Sequence, residues 1–195
     1  VQMSLRGRHN VLNVTAAIAL AVSCGIDPQV AVSAVAKFGG VGRRFEIIGE
    51  ADGITFVDDY AHLPREIAAV MSAAKTSDDH WERVVAVFQP NRYNRMAVMS
   101  HEYINAFVDA DVVVITDIYA SGTQKIEGIT GRLVVEAVLQ AHPHAQVFWH
   151  AERDSLAEFV NQLVQPRDVC ISMGCGDIEY LPQELVLLRS DGAAI

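Results

Sequence analysis

Residues capable of acid–base and binding chemistry crowd the stretch 58–66, "DDYAHLPRE", directly after the apolar run "GITFV". Asp58 and Asp59 end a predicted strand, and His62 follows before a helix can begin. A carboxylate placed there can accept hydrogen bonds from a ribose or an amine, and a histidine can orient or deprotonate a nucleophile near neutral pH. The structural alternative is that one aspartate caps the helix while Glu66 complements its dipole.

A pair of arginines lies in "FQPNRYNR", after another apolar run. Arg92 and Arg95 occupy positions i and i+3, so both project towards the same side if a helix begins here. Two neighbouring guanidinium groups suit a carboxylate or a phosphate, which each can bind with two hydrogen bonds. The alternative is a solvated helix start. Because two cations oppose the dipole at a helix N-terminus, the arrangement favours a bound anion.

Three further motifs give weaker signals. "GVGRRFE" places Arg43 and Arg44 after several glycines, where a basic pair could reach phosphates held by a neighbouring domain. The glycines of "MGCGD", residues 173–177, permit close backbone approach to a ligand, although a lone GxG is more often a tight turn. His142 and His144 in "HPH" have no third ligand nearby, so we interpret them as loop histidines and predict no metal site.

Composition excludes several classes of protein. The formal net charge of -9 argues against a nucleic-acid-binding surface, so any phosphate contact must be local. The spacing of Cys24, Cys170 and Cys175 matches neither a redox nor a zinc motif, which favours a reducing, cytoplasmic setting. No apolar run is long enough for a spanning helix, and the start lacks the apolar core of a signal peptide, so we expect no membrane segment.

The elements that must position these groups fall into two parts. Residues 10–24 predict a helix that ends at Gly25. Asp27 and Pro28 predict the start of a second helix, with no strand between the two. The glycines of "FGGVG", residues 38–42, then predict a hinge or domain boundary.

Beyond this boundary, strand and helix patterns alternate. "RRFEIIGEADGITFVDD" predicts a hairpin with "ADG" as its turn, and periodic apolar residues predict a helix from Pro64 to Lys75. Further strands are predicted at "RVVAVFQ", "DVVVITD", "AQVFWH" and "DVCISMG". A helix should follow each of these strands. The first buries Met96, Met99, Tyr103 and Phe107, and the second lies near 130–141. The third begins with the capping box "SLAE" (Ser155–Glu158), and the fourth is a short last helix.

Such alternation, with β-branched and continuously apolar strands, predicts an α/β three-layer sandwich, in which helices cover both faces of a mostly parallel sheet. Ligands of these sheets bind beyond the carboxyl ends of the strands. The polar stretches "DDYAH", "QPNRYNR", "DIYASG" and "GCGD" all follow predicted strands, so we expect a binding site at that edge. Neither a Walker A motif nor a G-x-G-x-x-G after the first strand occurs, so the chain lacks the usual devices for a triphosphate or a dinucleotide.

Six stretches together carry a resemblance to a known family. They are, in order, "GRHNVLN", "GVGRRFE", "VDDYAHLPREI", "FQPNRYNR", "DIYASG" and "SMGCGDI". In this order, and over almost the whole chain, they resemble the Mur ligases of peptidoglycan synthesis. The resemblance implies an ATP-dependent, amide-bond-forming enzyme with three domains: one for a UDP-sugar, a central P-loop ATPase, and a C-terminal Rossmann-like domain that brings in the amino acid.

The same resemblance implies the organisation of this chain. Residues 1–40 would be the last helices of the central domain and residues 41–195 the C-terminal domain. The chain begins with Val rather than Met, so we expect a piece of a longer protein that is inactive without its other domains. Closure near Gly39–Gly42 would carry the C-terminal groups onto the nucleotide and exclude water.

The chemistry that the resemblance implies begins with phosphorylation of a muramoyl carboxylate by ATP. The amine of L-alanine then attacks the acyl phosphate, so the implied small-molecule partners are ATP, UDP-N-acetylmuramate and L-alanine. Mg²⁺ would accompany ATP, with ligands mainly in the missing domains. The family motifs assign nucleotide contacts to Asn10, Asn13, Arg44 and Asp58.

The amino-acid side of the site is implied in the same way. Tyr60 and His62 would be the catalytic residues beside the incoming amino acid. Arg92, Arg95 and His62 would bind the amino acid, the two arginines through its carboxylate, which agrees with the separate argument from paired guanidinium groups.

The chain departs from the family pattern at four positions. Leu63 stands where a second histidine is expected, Arg65 where a small hydroxyl residue is usual, Asn91 where a histidine precedes the arginine, and Thr123 where an acidic residue is common. Three alternatives stay open: a ligase that recycles a tripeptide onto the same sugar, a folylpolyglutamate synthetase, and a non-catalytic Rossmann-like binding module. The two-arginine loop argues against the first two.

Overall fold

The computed structural model describes residue 3 and residues 5–192. Contacts divide the chain into two compact units, Val1–Gly42 and Arg43–Ile195. Within the described residues, no helix combines the length and apolar character needed to span a bilayer.

The first unit contains two helices, α1 (Arg8–Ser23) and α2 (Pro28–Ala36). Gly25, with φ of 88°, ends the first helix, and the Asp27 carboxylate accepts from the backbone N–H groups of Gln29 and Val30, so both predicted boundary signals are confirmed. No residue of α1 is buried, and Ala31 is the buried residue of α2. These helices therefore form no core of their own.

The second unit is built on a six-stranded sheet in the order β1-β2-β6-β3-β4-β5. Its strands are β1 (Glu46–Ala51), β2 (Ile54–Asp59), β3 (Arg83–Phe88), β4 (Val112–Ile115), β5 (Val147–Trp149) and β6 (Asp168–Met173). The first strand pairs antiparallel with the second, and all other neighbours are parallel. β6, the last strand in the sequence, therefore lies at the centre of the sheet, between β2 and β3.

The hairpin of β1 and β2 turns as the sequence predicts. Asp52 and Gly53 are the two loop residues, with φ of 51° and 74°, and Ala51 pairs with Ile54 across them. Two successive positive φ angles match the right-handed twist of the strands, which is why Asp-Gly is favoured here.

Helices cover both faces of the sheet, which confirms the predicted α/β sandwich. Helices α3 (Pro64–Lys75), α4 (Tyr93–Met99) and α5 (Arg132–Ala141) pack on one face, where Ile67, Met71 and Met96 are fully buried. Helices α6 (Leu156–Leu163) and α7 (Leu181–Gly192) pack on the other, around Leu156 and Leu185. Short 3₁₀ helices span Ser100–Asn105, Arg153–Ser155 and Asp177–Tyr180.

Two local predictions were wrong. The helix after β3 changes to 3₁₀ geometry at Ser100, so Met99 is only partly buried, although Met96, Tyr103 and Phe107 are buried as predicted. The capping box at Ser155 does not form: its side chain makes no cap, and its Oγ lies 2.9 Å from His150 Nε2 instead. A competing side-chain partner thus removes the local hydrogen bond that the motif suggested.

Candidate functional site at the carboxyl edge of the sheet

The strand order brings the four polar stretches to one edge. Asp59 at the end of β2 pairs in register with Met173 of β6, which in turn aligns with Phe88 of β3. Phe88 aligns with Ile115 of β4. The segments that follow these strands, "DDYAH", "GCGD", "QPNRYNR" and "DIYASG", are therefore neighbours.

Asp58 lies in a buried ion pair. Its side chain is almost inaccessible, and its Oδ2 accepts from Arg43 Nε at 2.7 Å while Oδ1 accepts from Nη2 at 3.4 Å. Burial raises the pKa of this carboxyl, and the hydrogen bond and charge of Arg43 oppose that shift. Both oxygens are thus engaged by a residue of the chain itself.

Arg43 is the hub of the neighbouring contacts. Its Nη2 donates to the Gly174 carbonyl at 2.8 Å, and its Nη1 lies 2.8 Å from Glu179 Oε2. Its own carbonyl accepts from Tyr60 N at 2.8 Å. One guanidinium therefore joins the end of β2 to the glycine turn after β6, a structural role that the sequence did not predict because Arg43 was considered only as one of a basic pair for phosphates.

Neither aspartate caps α3, so that part of the structural alternative was wrong. Asp59 accepts from the backbone N–H groups of Phe45 at 2.8 Å and Ala61 at 2.7 Å, which holds the turn rather than the helix. Glu66 supplies the cap: its Oε2 accepts from His62 N at 3.0 Å and from Leu63 N at 3.2 Å. A carboxylate at this helix start also complements the dipole.

His62 is held in one orientation at the rim of the edge. Its Nδ1 lies 3.0 Å from the Tyr60 carbonyl, which can only accept, so a neutral ring protonated at Nδ1 leaves the Nε2 lone pair free. The His62 carbonyl accepts from the buried Tyr103 hydroxyl at 2.7 Å. This tautomer suits a group that takes a proton from a nucleophile.

The Tyr60 ring contacts cations on its faces. The guanidinium carbons of Arg43 and Arg44 lie 5.2 and 5.6 Å from its centroid, and the His62 ring meets it edge-on at 5.4 Å. The exposed Arg44 guanidinium has no hydrogen bond or ion pair with any described residue, and its contact with the Tyr60 ring helps to orient it.

The two predicted arginines flank the start of α4. Arg92 precedes the helix with φ of 63° and ψ of 113°, an unfavourable backbone conformation that a hydrogen bond from its N–H to the Tyr119 carbonyl, at 2.9 Å, holds in place. Arg95 Nη1 donates to Asn91 Oδ1 at 2.7 Å. Among the described residues, neither guanidinium has a carboxylate partner.

Cys175 marks where the positive charges converge. Burial raises the pKa of its thiol, while the nearby charges of Arg95, Arg43 and Arg92 oppose the shift. Three arginine charges therefore reach the glycine turn, although Arg43 is itself paired with Asp58 and burial still disfavours the thiolate.

Further contacts at the edge were not predicted. Gln89 Nε2 donates to Asp177 Oδ1 at 2.7 Å. The two residues are far apart in sequence, and no motif links them. A Cβ on Gly176 would lie 2.4 Å from Gln89 Oε1 and 2.4 Å from Tyr119 Cγ. Close packing therefore requires a glycine at this position of the "MGCGD" turn. Gln89, Asp177 and Tyr119, with Asp117 and others, line a cleft of about 480 Å³ at the same edge.

Two of the departures from the family pattern have structural roles. The buried Asn91 orients Arg95, and Thr123 Oγ1 accepts from Tyr93 N at 3.0 Å, which caps α4. Leu63 is the N-cap residue of α3 and makes no side-chain cap, and the Arg65 side chain is exposed.

The remaining predicted nucleotide residues lie in the first unit. Asn10 Nδ2 donates to the Arg6 carbonyl at 2.7 Å, and Asn13 Nδ2 donates to Asn10 Oδ1 at 3.5 Å. The two amides are therefore neighbours on one side of α1.

The two loop histidines, His142 and His144, lie between α5 and β5. His142 Nε2 lies 2.9 Å from Asn105 Oδ1. Across residue 3 and residues 5–192, no group of three or more His, Cys, Asp or Glu side chains could hold a metal ion.

Comparison with known proteins supplies the family context. The family model described as "Mur ligase, glutamate ligase domain" matches residues 43–176. UDP-N-acetylmuramate--L-alanine ligase of Gloeothece citriformis is 42% identical over 188 residues, which are 95% of this chain and 38% of that protein. A UDP-N-acetylmuramate-alanine ligase structure from Thermotoga maritima superposes with a TM-score of 0.78 at 29% identity, and the match covers 97% of this chain and 40% of that one.

A murein peptide ligase from Psychrobacter arcticus shares the fold, with a TM-score of 0.71 at 24% identity over all of this chain and 40% of that one. In each comparison the chain spans about two-fifths of the length of the relative that it matches.

Proposed function

Because the chain belongs to the Mur ligase family, we propose that it is the C-terminal part of an ATP-dependent ligase that joins L-alanine to UDP-N-acetylmuramate. One observation carries the proposal for the site. Arg92 and Arg95 present guanidinium groups without carboxylate partners, among the described residues, at the carboxyl end of a central strand. A free amino-acid carboxylate is the anion that a ligase of this kind must hold while the amine reacts.

The two arginines act on the carboxylate of L-alanine. Each can donate two parallel hydrogen bonds to carboxylate oxygens, and bidentate binding fixes orientation as well as position. The strained backbone at Arg92 supports a binding role, because such conformations concentrate at ligand clamps. The amine of the bound amino acid then points away from the guanidinium groups.

His62 serves the amine. An amino acid enters as an ammonium, which must lose a proton before it can attack an acyl phosphate. With Nδ1 donating to the Tyr60 carbonyl, Nε2 is the atom that accepts this proton. The hydrogen bond from Tyr103 to the His62 carbonyl fixes the backbone that carries the ring.

The nucleotide residues are proposed on the family motifs. Arg44 is exposed, lacks an ion-pair partner among the described residues and is oriented by Tyr60, which supports a phosphate contact. Asn10 and Asn13 present neighbouring amides that suit the edge of an adenine. For Asp58, a ribose contact requires a hydroxyl to share oxygens that Arg43 already engages. ATP supplies the phosphoryl group, and Mg²⁺ would accompany it, with ligands mainly in the missing domains.

The two units correspond, in this proposal, to parts of different domains. Residues 1–40 are the last helices of the central ATPase domain, and residues 41–195 form the amino-acid domain. The exposed apolar residues of α1 and α2, among them Leu12, Leu20 and Val30, support this assignment, because the remainder of an ATPase domain would cover them. The other two domains of the same chain are the implied protein partners.

The experiment is an assay of phosphate release by the complete ligase with UDP-N-acetylmuramate, ATP and one amino acid at a time. The proposal predicts turnover that requires the sugar and L-alanine together. Turnover that requires L-alanyl-γ-D-glutamyl-meso-diaminopimelate instead would establish a tripeptide ligase. Loss of any nucleotide or amino-acid response would favour a non-catalytic binding module.

A further inference from the structure

The partly buried arginines of the second unit differ in what neutralises them. Four have a carboxylate within salt-bridge distance: Arg43 with Asp58, Arg83 with Asp168, Arg153 with Glu184, and Arg189 with Asp52. Arg95 is the exception among the described residues, because its partner is the neutral amide of Asn91. Its guanidinium is thus oriented while its charge stays uncompensated.

Asn91 is placed firmly enough to orient its partner. The residue is 3% exposed and forms a parallel bridge with Tyr119. Tyr119 also donates from its N–H to the Pro90 carbonyl at 2.8 Å and accepts from Arg92 N at 2.9 Å, so the backbone on both sides of Asn91 is fixed. Because a guanidinium has only donors, the amide oxygen is the atom that must face Arg95.

A neutral acceptor has a consequence that a carboxylate would not. An aspartate at position 91 would hold Arg95 more tightly, through a charge-assisted hydrogen bond, but would cancel the charge that attracts an anion. An amide oxygen restricts the side chain and leaves the full positive charge for a ligand. The site therefore favours ligand binding over the strength of the internal contact.

We propose that Asn91 is a positioning residue for substrate: it holds Arg95 ready for the carboxylate of the amino acid without neutralising it. The inference rests on the proposed function and names a determinant of affinity at that site. Asn91 itself touches no substrate and acts through Arg95.

The test compares Asn91→Asp with Asn91→Ala in the complete ligase. The aspartate should raise the KM for L-alanine roughly tenfold or more, since a charge-assisted contact to substrate is lost. The alanine should raise it less, because Arg95 becomes mobile but stays charged. Melting temperatures should rank the other way, with the aspartate variant the more stable. A merely structural asparagine would give the opposite KM order, with the alanine variant worse in both measurements.

Asn94→Asp is the matched control. Asn94 is exposed on α4, the helix that carries Arg95. Its Oδ1 accepts from the backbone N of Arg95 at 2.9 Å rather than from the guanidinium. The Asn94→Asp substitution introduces the same negative charge close to Arg95 without contacting its guanidinium. The KM of this variant for L-alanine should therefore change by less than about threefold. Equal effects of Asn91→Asp and Asn94→Asp would overturn the proposal, because general electrostatics would then explain both.

Arg95→Ala separates this proposal from the proposed function. If Arg95→Ala leaves the KM for L-alanine unchanged, the arginine pair does not bind the amino acid and the assigned site is wrong. If Arg95→Ala raises the KM while Asn91→Asp does not, the site stands and the role of Asn91 fails. The KM for ATP should be unaffected in all of these variants.

Discussion

Arg43 Nε and Asp58 Oδ2 lie 2.7 Å apart, in an ion pair whose carboxylate is buried. The same guanidinium bonds the Gly174 carbonyl, so this pair joins the end of β2 to the turn after β6. The edge that carries the proposed site therefore depends on a contact between residues that sequence analysis treated as separate motifs.

Removal of the arginine should be costly. Arg43→Ala leaves the Asp58 carboxylate buried without its partner, and we expect a loss of about 2–3 kcal/mol in the free energy of unfolding, below the full value for a buried pair because the arginine is partly exposed. Urea unfolding measures this loss. Arg132→Ala, which breaks an exposed pair with Glu136, is the control and should cost less than about 0.5 kcal/mol. Equal losses in the two variants would show that Asp58 is not the cause.

The three cysteines should differ in reactivity and in pH dependence. Burial raises the pKa of Cys170 to about 12 and also raises the pKa of Cys175, while Cys24 is exposed. Since the thiolate reacts, a raised pKa means that alkylation stays slow until higher pH. We expect Cys24 to react first, Cys175 to react later with a pH profile displaced upwards, and Cys170 to react only on unfolding. Mass spectrometry of iodoacetamide-treated protein gives the order, and early labelling of Cys175 near pH 7 would contradict the buried environment.

Tyr60 should affect the nucleotide through its ring. Tyr60→Leu removes the surface that orients Arg44, and we expect the KM for ATP of the complete ligase to rise roughly two- to fivefold, the equivalent of about 0.5–1 kcal/mol. Tyr60→Phe keeps the ring and should retain the wild-type KM for ATP. A rise of equal size in both variants would instead assign the effect to the hydroxyl.

A side chain at Gly176 should lower the stability of the fold. Gly176→Ala places a Cβ 2.4 Å from Gln89 Oε1 and Tyr119 Cγ, and we expect a loss of about 1–3 kcal/mol in the free energy of unfolding from overpacking. Gly39→Ala is the control, since a Cβ there meets no atom within 4 Å. Unchanged stability of the Gly176 variant would mean that the turn can move away from Tyr119.

Local chemistry made part of the fold predictable. The Asp52–Gly53 turn, the Pro64 start of α3 and the Asp27 cap each depend on residues close in sequence, and each was predicted at the right place. Strand order is different in kind. The insertion of β6 between β2 and β3 follows from packing of whole elements, and no local pattern carries it.

The site shows the same division. The arginine pair was found because two cations at a helix start require an explanation. The Gln89–Asp177 hydrogen bond joins distant segments, and the choice between Arg43 and Arg44 as the partner of Asp58 depends on side-chain directions in an irregular turn. Neither has a signature in sequence spacing.

The most direct test of the account is the kcat/KM for L-alanine of the complete ligase with Arg92→Ala. Loss of a bidentate contact to the carboxylate should cost roughly 2–4 kcal/mol of transition-state stabilisation, which lowers kcat/KM by about 30- to 1,000-fold. The KM for ATP should stay unchanged. Arg65→Ala removes an exposed arginine of α3 and serves as the control, with activity close to wild type. A collapse confined to the Arg92 variant supports the amino-acid site, and wild-type alanine kinetics in that variant would contradict it.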